Sequence, residues 1–160
     1  MPVEVFGEQD CIILILWPRQ ECKQIGIIAM SLPPPVPEDP ADRVRTKRVY
    51  EAPIPSDGKR ILVDRLWPRG VSKDRADLDQ WCKEIAPSDA LRHWFHADPS
   101  QWEAFEVRYQ AELATKPELL RELVALAEAG VVTLLFASKN EEHNNATVLR
   151  ERLLQELGAQ

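Results

Sequence analysis

Residues 131–144 read VVTLLFASKNEEHN. The first seven are apolar but for Thr133 and show no polar alternation. That pattern suits a strand covered on both faces, as in a parallel sheet, rather than a strand with one wet face. The polar turn SKNEEH follows. Asn144 or Asn145 then caps a helix carrying Val148, Leu149, Leu153 and Leu154, which Gly158 closes. Such strand–loop–helix joints build α/β layers. The expected fold class is therefore α/β, a small layered domain with a short, mostly parallel sheet and helices packed around it.

Reading upstream, Pro117 opens a helix at its first turn, where a missing N–H costs little, and Gly130 ends it. Leu119, Leu120, Leu123, Leu126 and Ala127 form its buried stripe. Residues 100–116 predict an amphipathic helix with Ser100 and Glu103 at capping-box spacing. Its Trp102, Phe105, Tyr109 and Leu113 share one face and are expected in the core, not in a ligand platform. Pro87-Ser88-Asp89 starts the short helix ALRHWFHA, and ADLDQWCKEI (76–85) also reads as helical. Residues 44–52 and 59–66 predict strands, the first with basic residues outward, joined by a turn centred on Asp57-Gly58.

The chain has 160 residues and is 44% hydrophobic, enough for one domain with a sizeable core. SLPPPVPEDPAD (31–42) holds five prolines and three acids and reads as an extended linker. The apolar stretch before it fits two descriptions. It is either an added strand and hairpin or an extension upstream of a start at Met30. The second places residues 1–42 outside the domain and a single α/β domain at 43–160. The run from Cys11 to Trp17 is too short to span a bilayer, and Glu4, Glu8 and Asp10 replace the basic head of a signal peptide. Cys11, Cys22 and Cys82 form no CxxC and are odd in number, which fits a reducing cytoplasm. A net charge of −6 disfavours broad attraction to nucleic acid or anionic membrane.

Ligands of parallel sheets collect outside the carboxyl ends of the strands. Two loops are expected there. The first follows the strand in ILVDRLWPRG (61–70), and the second spans 138–145. Arg65, Arg69, Lys73 and Lys139 bring positive charge, a helix N-terminus brings backbone N–H groups, and Trp67 brings a flat face. The combination suits a phosphate or carboxylate. The bland reading has equal weight, with the charges pairing among themselves and Trp67-Pro68 forming a rigid turn. His93, His96 and His143 raise a metal site, but H-x-x-H has no clear third ligand, and capping or core roles are favoured over metal. No GxGxxG, Walker loop, G-x-S-x-G or zinc knuckle is present, and no cofactor is assigned.

Three blocks in order carry a specific likeness: KRVYEAPIPSDGKRILVDRLWPRGVSK, APSDALRHWFHADPSQWEAFEVRYQAEL and VVTLLFASKNEEHNNATVL. Over residues 47–157 the chain resembles the YeaO-like proteins, domain of unknown function 488. The resemblance implies a small cytoplasmic α/β fold and conveys no established reaction. Its signature positions fall on Asp64, Arg65, Trp67, Pro68, Arg69, Gly70, Lys73, Lys139 and Asn144. Some members carry a His where this chain has Asn145, so a general base there is not carried over. The reading preferred is binding of a small anionic ligand between the two loops, with catalysis left open. Arg65, Trp67, Arg69, Lys139 and Asn144 would bind it, and Asp64 and Lys73 would serve any proton transfer. The alternative is a regulatory or nucleic-acid-associated module using Lys47, Arg48, Arg69, Lys73 and Arg75 as a basic stripe.

Overall fold

The computed structural model describes residues 35–158. The expectations for residues 1–29 and for the first part of the linker fall outside the described residues. Four strands, β1 Val44–Arg48, β2 Lys59–Leu62, β3 Gln80–Trp81 and β4 Val132–Phe136, form one wholly parallel sheet in the order β1-β4-β2-β3. The helices are α1 Pro40–Arg43, α2 Lys73–Ala76, α3 Asp89–Ala97, α4 Trp102–Ala114, α5 Pro117–Ala129 and α6 Asn145–Gly158. The domain is α/β, as its strand and helix patterns predict. None of the described helices is long and apolar enough to cross a membrane.

The last strand in sequence lies between the first two, and all five of its residues are buried. Its run, apolar but for Thr133, reflects that place. Alternation along the strands then sorts side chains to two faces. Val44, Ile61, Val63, Val132, Leu134 and Phe136 point to the main core, built with α3 to α6. Leu62 and Leu135 point to a smaller core with Val49 and Val71 from the connecting loops and Ala76 from α2. Thr133, Arg60 and Lys47 share that second face. There Arg60 and Lys47 both meet the Asp57 carboxylate, the latter at 3.0 Å, and the Thr133 hydroxyl donates to Asp57 O at 2.6 Å. The basic side of β1 is thus not wholly outward, because Lys47 folds onto this buried cluster.

Phe105, Tyr109 and Leu113 of α4 are buried in the main core, and Trp102 packs against it half-exposed. The Tyr109 hydroxyl, fully buried, donates to Ile85 O at 2.9 Å. Tyr109→Phe is expected to cost about 1–2 kcal/mol, because it leaves that buried carbonyl without its donor. Urea unfolding midpoints check this, and an unchanged midpoint would show the hydroxyl to be idle.

Four local expectations are corrected. Residues 76–85 are not a helix: α2 ends at Ala76, Asp77 turns left-handed (φ 46°), and Gln80–Trp81 pairs with β2. Asp79 explains the switch. Its amide donates to Arg60 O at 2.9 Å and its carboxylate accepts from Arg60 N at 2.9 Å, which pins the segment to the sheet edge. The strand read over 59–66 stops at Leu62, although the Val63 amide still donates to Leu135 O. Ser100 does not cap α4. Its amide and hydroxyl donate to the Asp98 carboxylate instead, and the helix starts two residues later. The linker is not extended to its end. Asp39 accepts from Ala41 N at 2.8 Å and Pro40 sits at the first position of α1, where proline fits.

Candidate functional site

At the carboxyl ends of β1, β2 and β4 lies a cleft of about 520 Å³. Its floor is held by Asp64. The carboxylate accepts from Ala137 N at 2.8 Å and so bridges the ends of β2 and β4. The Trp81 indole N–H donates to Asp64 O at 2.8 Å, and the Asn145 amide donates to Val63 O at 2.9 Å. Burial pushes the Asp64 carboxyl above its usual range, and the hydrogen bonds from Ala137 and Asn145 oppose that rise in part. Asp64 is thus both a structural brace and, among the described residues, the only carboxylate lining the cleft.

Arg65, Arg69 and Lys139 line this same cleft, with Trp67. Arg65 is partly engaged, its Nε 3.3 Å from Asp89, which is more than half exposed at the start of α3. Arg69 and Lys139 are exposed and form no ion pair among the described residues. The chain reaches Arg69 through Pro68 and leaves it through Gly70 at φ +74°, a turn that suits glycine. Trp67 is fixed by its indole N–H donating to Val71 O at 2.7 Å and by an edge-on contact with Trp81 at 5.3 Å.

Two expected site residues behave differently. Asn144 is buried, and its side chain is spent on the loop. Its amide donates to Asn140 O and Glu141 O, and its carbonyl accepts from Thr147 N at 3.1 Å as the N-cap of α6. It lines the cleft as a brace with no amide hydrogen to spare for a ligand. Lys73 is exposed at the first position of α2 and does not line the cleft, so no proton transfer is routed through it there.

The sequence reading missed the contribution of α3. Arg92, Phe95 and His96 all line the cleft, at i, i+3 and i+4 spacing on one helical face. Arg92 Nη2 lies 3.3 Å from Asp89 and 3.0 Å from His93 Nε2, while its buried Nε finds no acceptor among the described residues. The spacing was visible in LRHWFH, but which face meets the cleft depends on how α3 packs. His143 also reaches the cleft and stacks on Trp102 at 4.6 Å. No group of three or more His, Cys, Asp or Glu side chains is gathered for a metal among the described residues. A second, more open cleft at the opposite end of β2 is bounded by Arg60 and Asp79, whose polar groups are already engaged with each other and with Asp57, Lys59 and Ala76.

The family model described as "Inactive DUF488-N3 subclade" matches residues 43–160. The uncharacterised protein YeaO of Escherichia coli is 44% identical over 110 residues, covering 69% of this chain and 96% of that protein. Uncharacterised proteins of Mycobacterium bovis and Mycobacterium tuberculosis are each 44% identical over 111 residues, covering 69% of this chain and 93% of theirs. No solved structure matches. Because the family model takes in the whole sheet and every residue lining the cleft, the chain belongs to the YeaO-like proteins of the DUF488 family.

Proposed function

We propose that the cleft is a receptor for a small anion, phosphate or carboxylate, which it binds without turning it over. The observation carrying this reading is local charge. Among the described residues, Arg65, Arg69, Arg92 and Lys139 line the cleft against the single carboxylate of Asp64, four charges against one. The whole chain is net −6. Asp89 at the rim offsets part of the excess through Arg65 and Arg92, and leaves Arg69 and Lys139 as the cations available to a ligand. Binding in place of catalysis is supported by the engagement of Asp64, by a lining that among the described residues includes neither Lys73 nor a cysteine, and by the description of the matching family model as inactive. The basic-stripe alternative needs Lys47 and Arg48. The Lys47 ammonium is committed to Asp57 and Ala52 O, and Arg48 Nε donates to Ser138 O.

Sulfate titrated by calorimetry tests the proposal, because its charge stays constant across the useful pH range. Arg69→Ala is expected to weaken sulfate binding by about 1.5–3 kcal/mol, the worth of hydrogen bonds to a charged group, with the fold intact. Equal affinities in the two proteins would end the reading. Asp64→Asn should tighten binding by about 1 kcal/mol, the scale of one charge acting through partly solvated protein. It has a pH signature as well. The Asp64 carboxyl stands above its usual range, so falling pH neutralises it before ordinary carboxylates, and affinity should rise through that window. His96 and His143 also line the cleft, so the diagnostic quantity is the difference between the wild type and Asp64→Asn. That difference should shrink as Asp64 protonates.

A further inference from the structure

The cations occupy only part of the cleft. Much of the remaining lining is ring surface, and the rings come from both layers of the domain. Trp67 packs with the smaller core on one side of the sheet. Its indole N–H is committed to Val71 O, so what it offers the cleft is its ring and not a donor. Phe95 packs with the main core on the other side and stacks on Phe105 at 4.4 Å with an interplanar angle of 30°. Phe105 stacks in turn on Trp102 at 5.6 Å and 28°, and His143 covers Trp102 at 4.6 Å and 17°. Phe105 is nearly inaccessible and serves as the foundation of this array. Phe95 is half-buried and His143 exposed, and both reach the cleft.

A site for a bare anion needs donors and positive charge, not two walls of rings. The volume of about 520 Å³ also falls among small-molecule clefts, which span about 300–1,000 Å³. Resting on the anion reading above, we propose that the ligand is a ring-bearing anion, an aromatic phosphate or carboxylate. Its charged group would meet Arg69 and Lys139, and its planar ring would enter between Trp67 and the Phe95–His143 wall. Offset or edge-on contacts with such rings favour a flat π-system over an aliphatic group of similar size.

The test is a titration of the full-length ¹⁵N-labelled protein, followed by the Trp67 indole N–H and the amides of residues 138–145. Inorganic phosphate, cyclohexyl phosphate, phenyl phosphate and benzoate are the probes. Phenyl phosphate is expected to bind about tenfold more tightly than inorganic phosphate and measurably more tightly than cyclohexyl phosphate. Preference for phenyl phosphate over benzoate assigns a phosphate, and the reverse assigns a carboxylate; either supports the ring-bearing anion. His143→Ala, at an exposed position, should narrow the gap between phenyl and inorganic phosphate. Phe95→Leu should do the same. Equal affinities for phenyl and inorganic phosphate, or for phenyl and cyclohexyl phosphate, would overturn the inference alone. If neither inorganic nor phenyl phosphate binds, the anion reading beneath it falls as well.

Discussion

Replacing Asp57 by Ala is expected to lower the unfolding free energy by about 3–5 kcal/mol, the cost of leaving a buried partner charge uncompensated. Arg60 is only 3% exposed and Asp57 only 5%. The guanidinium also donates to Ala76 O and Asp77 O, so it cannot swing out to water without breaking the joint between β2 and the end of α2. Lys47 would lose the same partner at 3.0 Å, and Ile54 N would lose its acceptor at 3.1 Å. The pH dependence follows from the same geometry. Burial alone would raise the Asp57 carboxyl, but the Ile54 amide, Lys47 and Arg60 outweigh it and hold the group below its usual value. A depressed carboxylate contributes stability that is full above its unfolded value and is lost as pH falls through its folded value. The gap between wild type and Asp57→Ala in urea titrations should therefore be widest near neutrality and narrow in acid. A gap below about 1 kcal/mol at pH 7, the size of an ordinary surface pair, would mean the cluster is solvated.

This cluster also shows which parts of the fold the residues disclose on their own. The central strand was legible because burial on both sides demands a run without polar alternation, and 131–137 supplies one, apolar but for Thr133. The α5 and α6 stripes were legible for the same reason at helical period. Arg60 was not legible. It sits between Lys59 and Ile61 like any outward basic residue, and only the crossing of the Asp57 turn over Thr133 makes its position buried. Strand β3 was missed because two residues carry no period, and the pairing of Asp79 with Arg60, distant in sequence, decides its conformation. In the cleft, Arg65, Trp67 and Arg69 could be found because they continue a strand end directly. Arg92, Phe95 and His96 could not, since α3 brings them in by packing over the sheet. The part that Asn144 plays in the loop is hidden in the sequence for a chemical reason. An amide that caps a helix and an amide that binds a ligand look identical in sequence, and here the loop carbonyls of Asn140 and Glu141 take both its hydrogens.

Gly58→Ala is expected to destabilise the domain by about 3 kcal/mol or more, combining left-handed strain of about 1–3 kcal/mol with an overpacking cost of similar size. Gly58 has φ +62° and ψ −131°, a conformation side chains disfavour. A Cβ there would lie 2.1 Å from Val131 O and 2.8 Å from the Val131 carbonyl carbon. The clash is with backbone, and that backbone is fixed. Val131 O accepts from Lys59 N at 2.8 Å at the point where β4 begins, so moving it would unpair the start of two strands. The turn cannot slide the other way either, because the Thr133 hydroxyl holds Asp57 O at 2.6 Å. Gly70 supplies the control. It has a similar φ of +74°, yet nothing lies within 4 Å of its added Cβ. Gly70→Ala should therefore show the conformational cost alone, about 1–2 kcal/mol. Chemical unfolding of the two variants separates strain from collision. Equal losses would mean that Val131 yields, and that the start of β4 is softer than its hydrogen bonds imply.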